Sequence, residues 1–598
     1  VKGIMDGMRP LSPTAEKILE ARYLLRDSLS RLIETPKDLF RRVARCVAAA
    51  EGNWSSLDEV DYYENEYYQM MSRLEFLPNS PTLMNAGKEH GQLSACFVLP
   101  VPDSIEGITK AVQNMMMIHK TGGGTGFSFS SVRPKNDMVS STGGIASGPV
   151  AFLKVFDTAT DVVKQGGCRR GANMGVLRID HPDILEFIDA KRQGSYSNFN
   201  LSVAVTSHFM RCLKKGTTYP LVNPRNGKIV RFIPAKGIFE SICKAARETG
   251  DPGLLFIDEI NRHNPTPGLG KIDATNPCGE QPLLPYESCN LASINLAAMI
   301  DNDEFNEERF EIATDLAVRF LDNVIEVNHY PLPEVERITK ANRKVGLGVM
   351  GFAEMLMRLG IPYDSAKARS FATSLMKLFL KRCRQASVAL ASQRGPFPNY
   401  KGSSLEKLKF PPMRNATLTT IAPTGTLALL ANTTSGIEPA FALSFFRRGL
   451  DGEEFLEVQS CFREKMKELG LDSGELYEKI AETGGVQDIN KIPKKVRDVF
   501  KTALDISPAD HVRMQGVFQK YTDNAVSKTV NLPHDATWED VFKIYMAAYE
   551  MKCKGITVYR YGSHENQILN LGKPKQKGKN KLVLETDSNL LGACDTLL

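Results

Sequence analysis

No run of eighteen apolar residues occurs anywhere in this 598-residue chain, so no segment qualifies as a membrane-spanning helix. A charged, then apolar, then small-residue leader is also missing, and we expect a cytoplasmic protein with no membrane partner. The eleven cysteines show neither a CxxC pair nor regular spacing, which argues against a secreted disulfide framework and a structural zinc site; we expect no metal ligated by the chain itself. Charge of one sign is scarce too: a net +6 on this length does not mark a nucleic-acid surface, and no nucleic-acid partner is expected. What is present, 42% hydrophobic and 24% charged residues, is the composition of a globular protein. The length exceeds one ordinary core, although a large α/β barrel can absorb much of it. The first residue is Val1, so a start segment is expected to be missing.

The most informative stretch is Asn276-Pro277-Cys278-Gly279-Glu280-Gln281-Pro282-Leu283, with Cys289 eleven positions after Cys278. Pro277 removes a backbone donor and Gly279 supplies freedom, so the segment is a tight loop presenting one thiol. Asn276 and Glu280 stand two residues to either side: an amide that donates and accepts, and a carboxylate that moves a proton. That set suits chemistry on a substrate hydroxyl. A lone buried cysteine beside a helix cap is the structural alternative.

The stretch NPCGEQPLLPYESCNLASINL resembles the active-site finger loop of the adenosylcobalamin-dependent (class II) ribonucleotide reductases. Further motifs resemble that family in the same order: PNSPTLMNAG (Pro78 to Gly87), LSACFVLPVPDSIEGI, GGGTGFSFSSVRP, STGGIASGPVAFLKVFD, KQGGCRRGANMGVLRIDHPDILEFI, RKVGLGVMGFAEML, IAPTGTLALLANTTSGIEPAF, KYTDNAVSKTVNLP and CKGITVYRYGS. Together they span about Arg41 to Ser563. The resemblance implies a ten-stranded α/β barrel of two five-stranded halves, with the loop bearing Cys278 threaded through its centre. The residues' own periodicity supports α/β and does not count strands.

In chain order, residues 1–75 read as a helical lead-in, with Ser12 or Thr14 and Thr35 as candidate caps. It is too short for a complete ATP-binding cone, so no overall on/off control by ATP is expected. Residues 76–563 read as the catalytic barrel. Within it, Ser80 and Thr82 begin a substrate-facing loop by resemblance or, read alone, cap a helix. Ala95 and Gly124 belong by resemblance to the substrate pocket, and Gly122 to Gly126 allow close backbone approach. A helix is expected to start near Ser147-Gly148-Pro149 and, by resemblance, to lie at a dimer interface. Lys164, Gln165, Arg169 and Arg170 flank a loop that resembles the specificity loop for dNTP effectors; alone it would read as a solvated basic turn. Residues 195–275 alternate the strand-like runs NFNLSVAVT, TYPLVNP and KIVRFIPA with a helix around Gly237 to Glu248, which suggests strands of a mostly parallel sheet. Helices are expected over 305–330 and 365–394, outside the barrel. At Pro423, Thr424, Gly425, Thr426 and Leu427 a β-rich run ends and an apolar helix opens, the best phosphate site in the chain on its own residues and the substrate diphosphate site by resemblance. Residues 442–510 read as a helical surface insertion. Residues 564–598 read as a flexible basic linker, with Lys573, Lys575, Lys577, Lys579 and Lys581, and a tail carrying Cys594.

The resemblance further implies a thiyl-radical mechanism on Cys278, with Glu280 as base, Asn276 holding hydroxyls, and Cys96 and Cys289 oxidised to a disulfide as the ribose is reduced. It implies adenosylcobalamin as cofactor, ribonucleoside diphosphates as substrates, a thioredoxin-like reductant and a homodimer. The nearest rival is a class I large subunit, whose radical arrives from a partner protein through stacked tyrosines; here Arg560 separates Tyr559 from Tyr561. A class III enzyme would need a C-terminal RVxGY segment, which is lacking. No histidine has Asp two positions before it, so the DxHxxG cobalamin motif is missing, and class II reductases bind the corrin without it. A non-redox nucleotide- or RNA-binding protein would leave the Asn-Cys-Glu set and the cysteine pair without a purpose. Reductase tails commonly carry two close cysteines, whereas Cys594 stands alone. Either its partner lies beyond the end of this chain or an external reductant acts directly.

Overall fold

A computed structural model describes residues 8–139, 143–165, 169–193, 196–448 and 454–563. Gly166 to Cys168, the lysine-bearing linker and Cys594 lie outside the described residues, as do the side chains of Lys164, Gln165, Arg169 and Arg170.

The chain opens with three helices, α1 (Pro13–Arg22), α2 (Pro36–Ala48) and α3 (Leu57–Ser72). Of the two candidate caps of α1, Ser12 is the one used, its hydroxyl accepting the Ala15 N–H. Thr35 and Asp38 form a capping box on α2, with Pro36 in the first turn where no donor is needed. The apolar face of α2, Leu39, Phe40, Val43 and Val47, is fully buried.

Ten strands form the main sheet: β1 (Phe76–Pro78), β2 (Cys96–Pro100), β3 (Gly124–Ser128), β4 (Asn173–Arg178), β5 (Phe199–Val205), β6 (Gly253–Phe256), β7 (Ser288–Asn295), β8 (Val345–Met350), β9 (Thr529–Leu532) and β10 (Gly555–Arg560). Their order is β1-β7-β2-β3-β4-β5-β6-β10-β9, with β8 on the other side of β7. From β2 to β6 every pairing is parallel, a run of five. β7 pairs with β8 in parallel, as β9 does with β10. The two sets meet antiparallel at β2/β7 and at β6/β10.

The regular ladder is an open arc. Between β8 and β9 the gap is spanned by residues 417–421, through parallel bridges Leu347↔Thr419 and Ile421↔Val526. Backbone bonds from Leu347 N to Leu418 O (2.8 Å) and from Ile421 N to Ala525 O (3.1 Å) support them. Counting residues 417–421 as a strand gives the second set its five members and carries the sheet round as a barrel; β1 is an extra strand on β7.

Three apolar cores follow from this arrangement. One fuses α2 and α3 with the outer face of β7 and β8 and the long helices Glu307–Val327 and Ala366–Arg394. A second lies between the first five strands and their helices, including Ala235–Thr249 and Trp538–Glu550. The third is inside the barrel, where Cys96, Val98, Met174, Val176 and Leu255 face Ala274, Leu283 and Cys289.

Two expectations need correction. The runs TYPLVNP and KIVRFIPA do not enter the main sheet; Thr218–Val222 and Ile229–Pro234 pair antiparallel with each other, the latter almost wholly exposed. The insertion at 442–510 is not purely helical. It begins with a hairpin, Ser444–Arg448 against Glu454–Val458, and its helices close over a small core of Phe462, Met466, Tyr477, Ile480, Val486 and Phe500. Its high charge density reflects a small unit with much surface per residue.

Candidate active site

The stretch around Cys278 forms a hairpin inside the barrel. Ala274–Thr275 pairs with Pro282–Leu283, and Asn276 N donates to Gln281 O at 3.2 Å to close the loop. Within it Gly279 N donates to Asn276 O at 3.1 Å, and Gly279 takes φ +81°, a conformation that disfavours any side chain. The turn leaves Cys278 half-buried at the tip, while Asn276 and Glu280 are buried on its two arms.

Both halves of the barrel hold this loop. Asn200 on β5 donates from Nδ2 to Pro277 O at 2.9 Å. On the opposite side Glu280 O accepts from Thr420 Oγ1 and from Ala525 N, each at 2.9 Å. Close packing requires glycine on the strands it crosses. A Cβ on Gly126 would overlap Thr275 O, and one on Gly124 would stand 2.9 Å from Pro277 Cγ. The glycine-rich β3 therefore forms a flat wall against which the finger lies.

Cys96 meets this loop directly. Asn276 Nδ2 donates to Cys96 Sγ at 3.2 Å, and the Cys96 thiol points to Glu280 Oε1 at 3.9 Å. The other amide atom of Asn276, Oδ1, accepts from Gln281 N at 2.9 Å, which fixes the side chain's orientation. Cys289 is the register partner of Cys96 across β2/β7. Directly opposed residues of an antiparallel pair have Cα atoms about 4.5–5.5 Å apart, within the span a disulfide bridges. Neither cysteine is in a disulfide here. Cys289 is fully enclosed, and burial pushes its thiol well above the usual range.

The other expected site residues fall into four groups. Ala95 is half-exposed beside Cys96 and linked to the wall, its N donating to Cys289 O (3.1 Å) and its O accepting from Gly124 N (2.8 Å). Ser80 and Thr82 lie in the helix Ser80–Asn85, capped by Asn79, whose Oδ1 accepts from Thr82 N at 2.9 Å. Their hydroxyls are engaged within the fold: Ser80 with Tyr23 OH at 2.8 Å, Thr82 with Asn79 Oδ1 and Leu93 O.

Pro423 to Leu427 line up as expected at the end of the β segment, with Thr424 in the left-handed region (φ 56°) opening the helix Gly425–Ala431. This helix has only seven residues, so its dipole is weaker than the sequence suggested. Thr424 Oγ1 accepts from Gly436 N at 2.7 Å, folding the following loop back over the turn. Behind it the buried Lys528 pairs with Glu438 at 2.6 Å, and Glu438 also accepts from Thr529 N. Lys164–Gln165 and Arg169–Arg170 pair as short antiparallel strands in a two-stranded sheet of their own.

Several residues beside the site escaped the sequence reading: Asn200 and Thr420, which grip the finger, and the Glu287–Lys344 and Glu438–Lys528 pairs. Lys528 and Glu438 lie inside quoted motifs, KTVNLP and SGIEPAF, so a charged residue amid apolar neighbours was a usable signal. Asn200 carried none.

The barrel, the finger and the cysteine pair narrow the possibilities to a small set of folds. The family described as "Ribonucleotide reductase, barrel domain" matches residues 94–559, and "Ribonucleotide reductase, all-alpha domain" matches residues 9–91. The chain belongs to the ribonucleotide reductase family. Among its relatives in that family is the vitamin B12-dependent ribonucleoside-diphosphate reductase of Thermoplasma acidophilum, 46% identical over 99% of this chain and 86% of that protein. The protein of the same name from Mycobacterium tuberculosis is 48% identical over 99% of this chain and 83% of its own length. Among solved structures the chain is similar to the Actinobacillus ureae class Id ribonucleotide reductase alpha subunit, with a TM-score of 0.75 at 25% identity, covering 92% of this chain and 97% of that one.

Proposed function

We propose that this chain reduces ribonucleoside diphosphates to 2′-deoxyribonucleotides by a thiyl-radical mechanism initiated by adenosylcobalamin, without a radical-donor subunit. The reductases at 46% and 48% identity carry vitamin B12 dependence and diphosphate substrates in their names, which favours this reading over a class I large subunit. The observation that carries the chemistry is one turn holding Asn276, Cys278 and Glu280 against Cys96, with Cys289 as its register partner.

The residues at the tip of the finger fit the cofactor. Cys278 is half-buried where Cys96 and Cys289 are buried, and a Cβ on the neighbouring Gly279 would meet nothing within 4 Å, so this edge of the turn is open. Cys278 and Gly279 would meet the adenosyl end there. When bound, adenosylcobalamin supplies a carbon-centred radical. Cys278 is the residue to respond, because its S–H bond is weak enough to yield a hydrogen atom to carbon and regain it later.

The Cys278 sulfur then takes the ribose 3′ hydrogen, Glu280 accepts the 3′-hydroxyl proton, and Asn276 positions the hydroxyls. The 2′ hydroxyl leaves as water, with protons and two electrons from the Cys96 and Cys289 thiols, which end as a disulfide. Burial of both thiols and of Glu280 keeps water from the radical. Pro423 to Leu427 hold the substrate diphosphate, while Ser80, Thr82, Ala95 and Gly124 shape the rest of the pocket.

We extend the reading to a cytoplasmic homodimer with dNTP effectors and a thioredoxin-like reductant. Among the described residues no helix is long and apolar enough to cross a membrane. The exposed apolar side chains Val155 and Val162 on the helix Pro149–Val162, with Met116 and Met117 on the adjoining Ile105–Lys120, support a dimer contact. Lys164, Gln165, Arg169 and Arg170 are the proposed effector contacts.

The test is anaerobic reduction of a ribonucleoside diphosphate with dithiothreitol, with and without adenosylcobalamin and with no second protein. Turnover that needs the cobalamin and vanishes in Cys278→Ser is expected. Turnover that appears only when a radical-donor subunit is added would overturn the proposal.

A further inference from the structure

A second concave site lies at the seam between the helical lead-in and the barrel, built from none of the residues of the finger or of the proposed substrate pocket. It is a cavity of about 350 Å³ with four arginines in its wall, Arg9, Arg73, Arg309 and Arg358, and no carboxylate among its lining residues. The rest of the wall is the turn that follows β7, at Ala297, Ala298 and Ile300. Separate elements deliver the guanidinium groups. Arg9 precedes α1, Arg73 caps the end of α3, and a bond from Arg9 N to Ser72 O (2.9 Å) holds these two stretches together. Arg309 lies in the first turn of the helix Glu307–Val327, and Arg358 ends the helix Phe352–Arg358.

The four differ in how they are paired. Arg309 is fixed by Glu75 and by Asp301 (3.2 Å), and Arg358 by Glu354 (2.8 Å) and Glu464 (3.1 Å), so both side chains are held in place before any ligand arrives. Those bonds leave further N–H donors on each guanidinium. Arg9 and Arg73 are exposed, and among the described residues neither guanidinium has a hydrogen-bond or ion-pair partner. Two like charges without a counter-charge, lining one cavity, repel each other. An anion with more than one charge removes that repulsion and takes up the open donors. Guanidinium forks match phosphate oxygens bidentately, which makes phosphate the anion this wall suits best. Ligand sites occupy roughly 300–1,000 Å³, so the cavity has room for more than one phosphoryl group.

We propose that this cavity binds a polyphosphate anion, either free or as the phosphate chain of a nucleotide, which Arg9 and Arg73 capture against the fixed guanidinium groups of Arg309 and Arg358. The site goes beyond the proposed reaction and does not depend on it. Arg9 and Arg73 come from the helical lead-in, Arg309 and Arg358 from the barrel, so an anion in the cavity ties one to the other and stabilises the folded chain by mass action. Because two of the four arginines are exposed, binding weakens as ionic strength rises.

The experiment labels the full chain with phenylglyoxal, which modifies accessible arginines, and follows each residue by peptide mass spectrometry, with no addition, with inorganic pyrophosphate or with ADP. Saturating pyrophosphate is expected to slow labelling of Arg9 and Arg73 about tenfold, while Arg211, exposed on the helix Ser207–Lys215, labels at an unchanged rate. Protection by pyrophosphate shows that a free polyphosphate suffices. Protection by ADP and not by pyrophosphate assigns the site to the phosphate chain of a nucleotide, and either result supports the proposal. Pyrophosphate can also enter the proposed diphosphate site, which is why the readout is the individual arginine and not a melting temperature. Arg73→Gln removes a side chain that pairs with nothing, so the variant is expected to unfold at the wild-type temperature in the absence of anion. Pyrophosphate should then protect Arg9 only at about tenfold higher concentration. Labelling of Arg9 and Arg73 that neither pyrophosphate nor ADP slows, or protection of Arg9 that survives Arg73→Gln unchanged, would overturn the proposal.

Discussion

Cys96 and Cys289 are register partners at the antiparallel junction between the two parallel halves of the barrel. A disulfide there needs no rearrangement of backbone, only rotation of two side chains. We expect a single turnover by pre-reduced enzyme, without external reductant, to consume two thiols per active site and yield a Cys96–Cys289 peptide by mass spectrometry. Cys96→Ser or Cys289→Ser should abolish repeated turnover with dithiothreitol.

The finger's fit against β3 predicts a graded response to one methyl group. Gly124→Ala places its Cβ 2.9 Å from Pro277 Cγ and should cost about 1–3 kcal/mol, as overpacking does. Gly126→Ala meets the Thr275 carbonyl, part of the finger's own backbone, and should displace the loop. Its activity should fall below one-hundredth of wild type while Gly124→Ala keeps measurable turnover. Denaturant titration beside turnover assays checks both.

Lys528 and Glu438 form a buried pair behind the proposed diphosphate site. Removing one partner of such a pair costs about 3–5 kcal/mol because the other charge is stranded. Lys528→Met should therefore destabilise the protein strongly, and Lys528→Met/Glu438→Gln less so, a non-additivity that a double-mutant cycle in urea measures. The double variant should raise KM for the diphosphate more than it lowers kcat, since Glu438 anchors the loop that follows Thr424.

His511 is buried with its Nδ1 3.0 Å from Lys528 Nζ and its Nε2 3.0 Å from Ala503 O. Burial, then the Lys528 ammonium, hold its imidazole well below the ordinary histidine range. A histidine depressed in the folded state is protonated first in the unfolded chain, so the stability it contributes above about pH 6.5 is lost as pH falls toward its folded value. Thermal unfolding should shift down between pH 6.5 and 4.5, and His511→Gln should flatten that slope.

The helices were legible because their caps and apolar periodicity are local: Ser12, Thr35 and Pro149 mark starts that the fold uses. The finger was legible because Pro277 and Gly279 restrict the backbone around one thiol. Strand partnership was not, since it is set by contacts far apart in sequence; the runs at 218–222 and 229–234 look like barrel strands and pair only with each other. The pairs Glu287–Lys344 and Glu438–Lys528 join residues 57 and 90 positions apart, a separation no periodicity reports. The roles of Ser80 and Thr82 stayed open in the sequence because a hydroxyl that binds substrate and one that braces a helix look alike until Asn79, Tyr23 and Leu93 are placed beside them.

The finger is tethered to Asn200 in one half of the barrel and to Thr420 and Ala525 in the other. It works as a tie rod between two frames, so the position of Cys278 is a readout of how the halves sit against each other. A chimera joining the first five strands of one relative to the last five of another would thus be limited by the alignment of its thiol, even where each half folds well. Activity in such hybrids would report the mating of the halves more sensitively than any melting temperature.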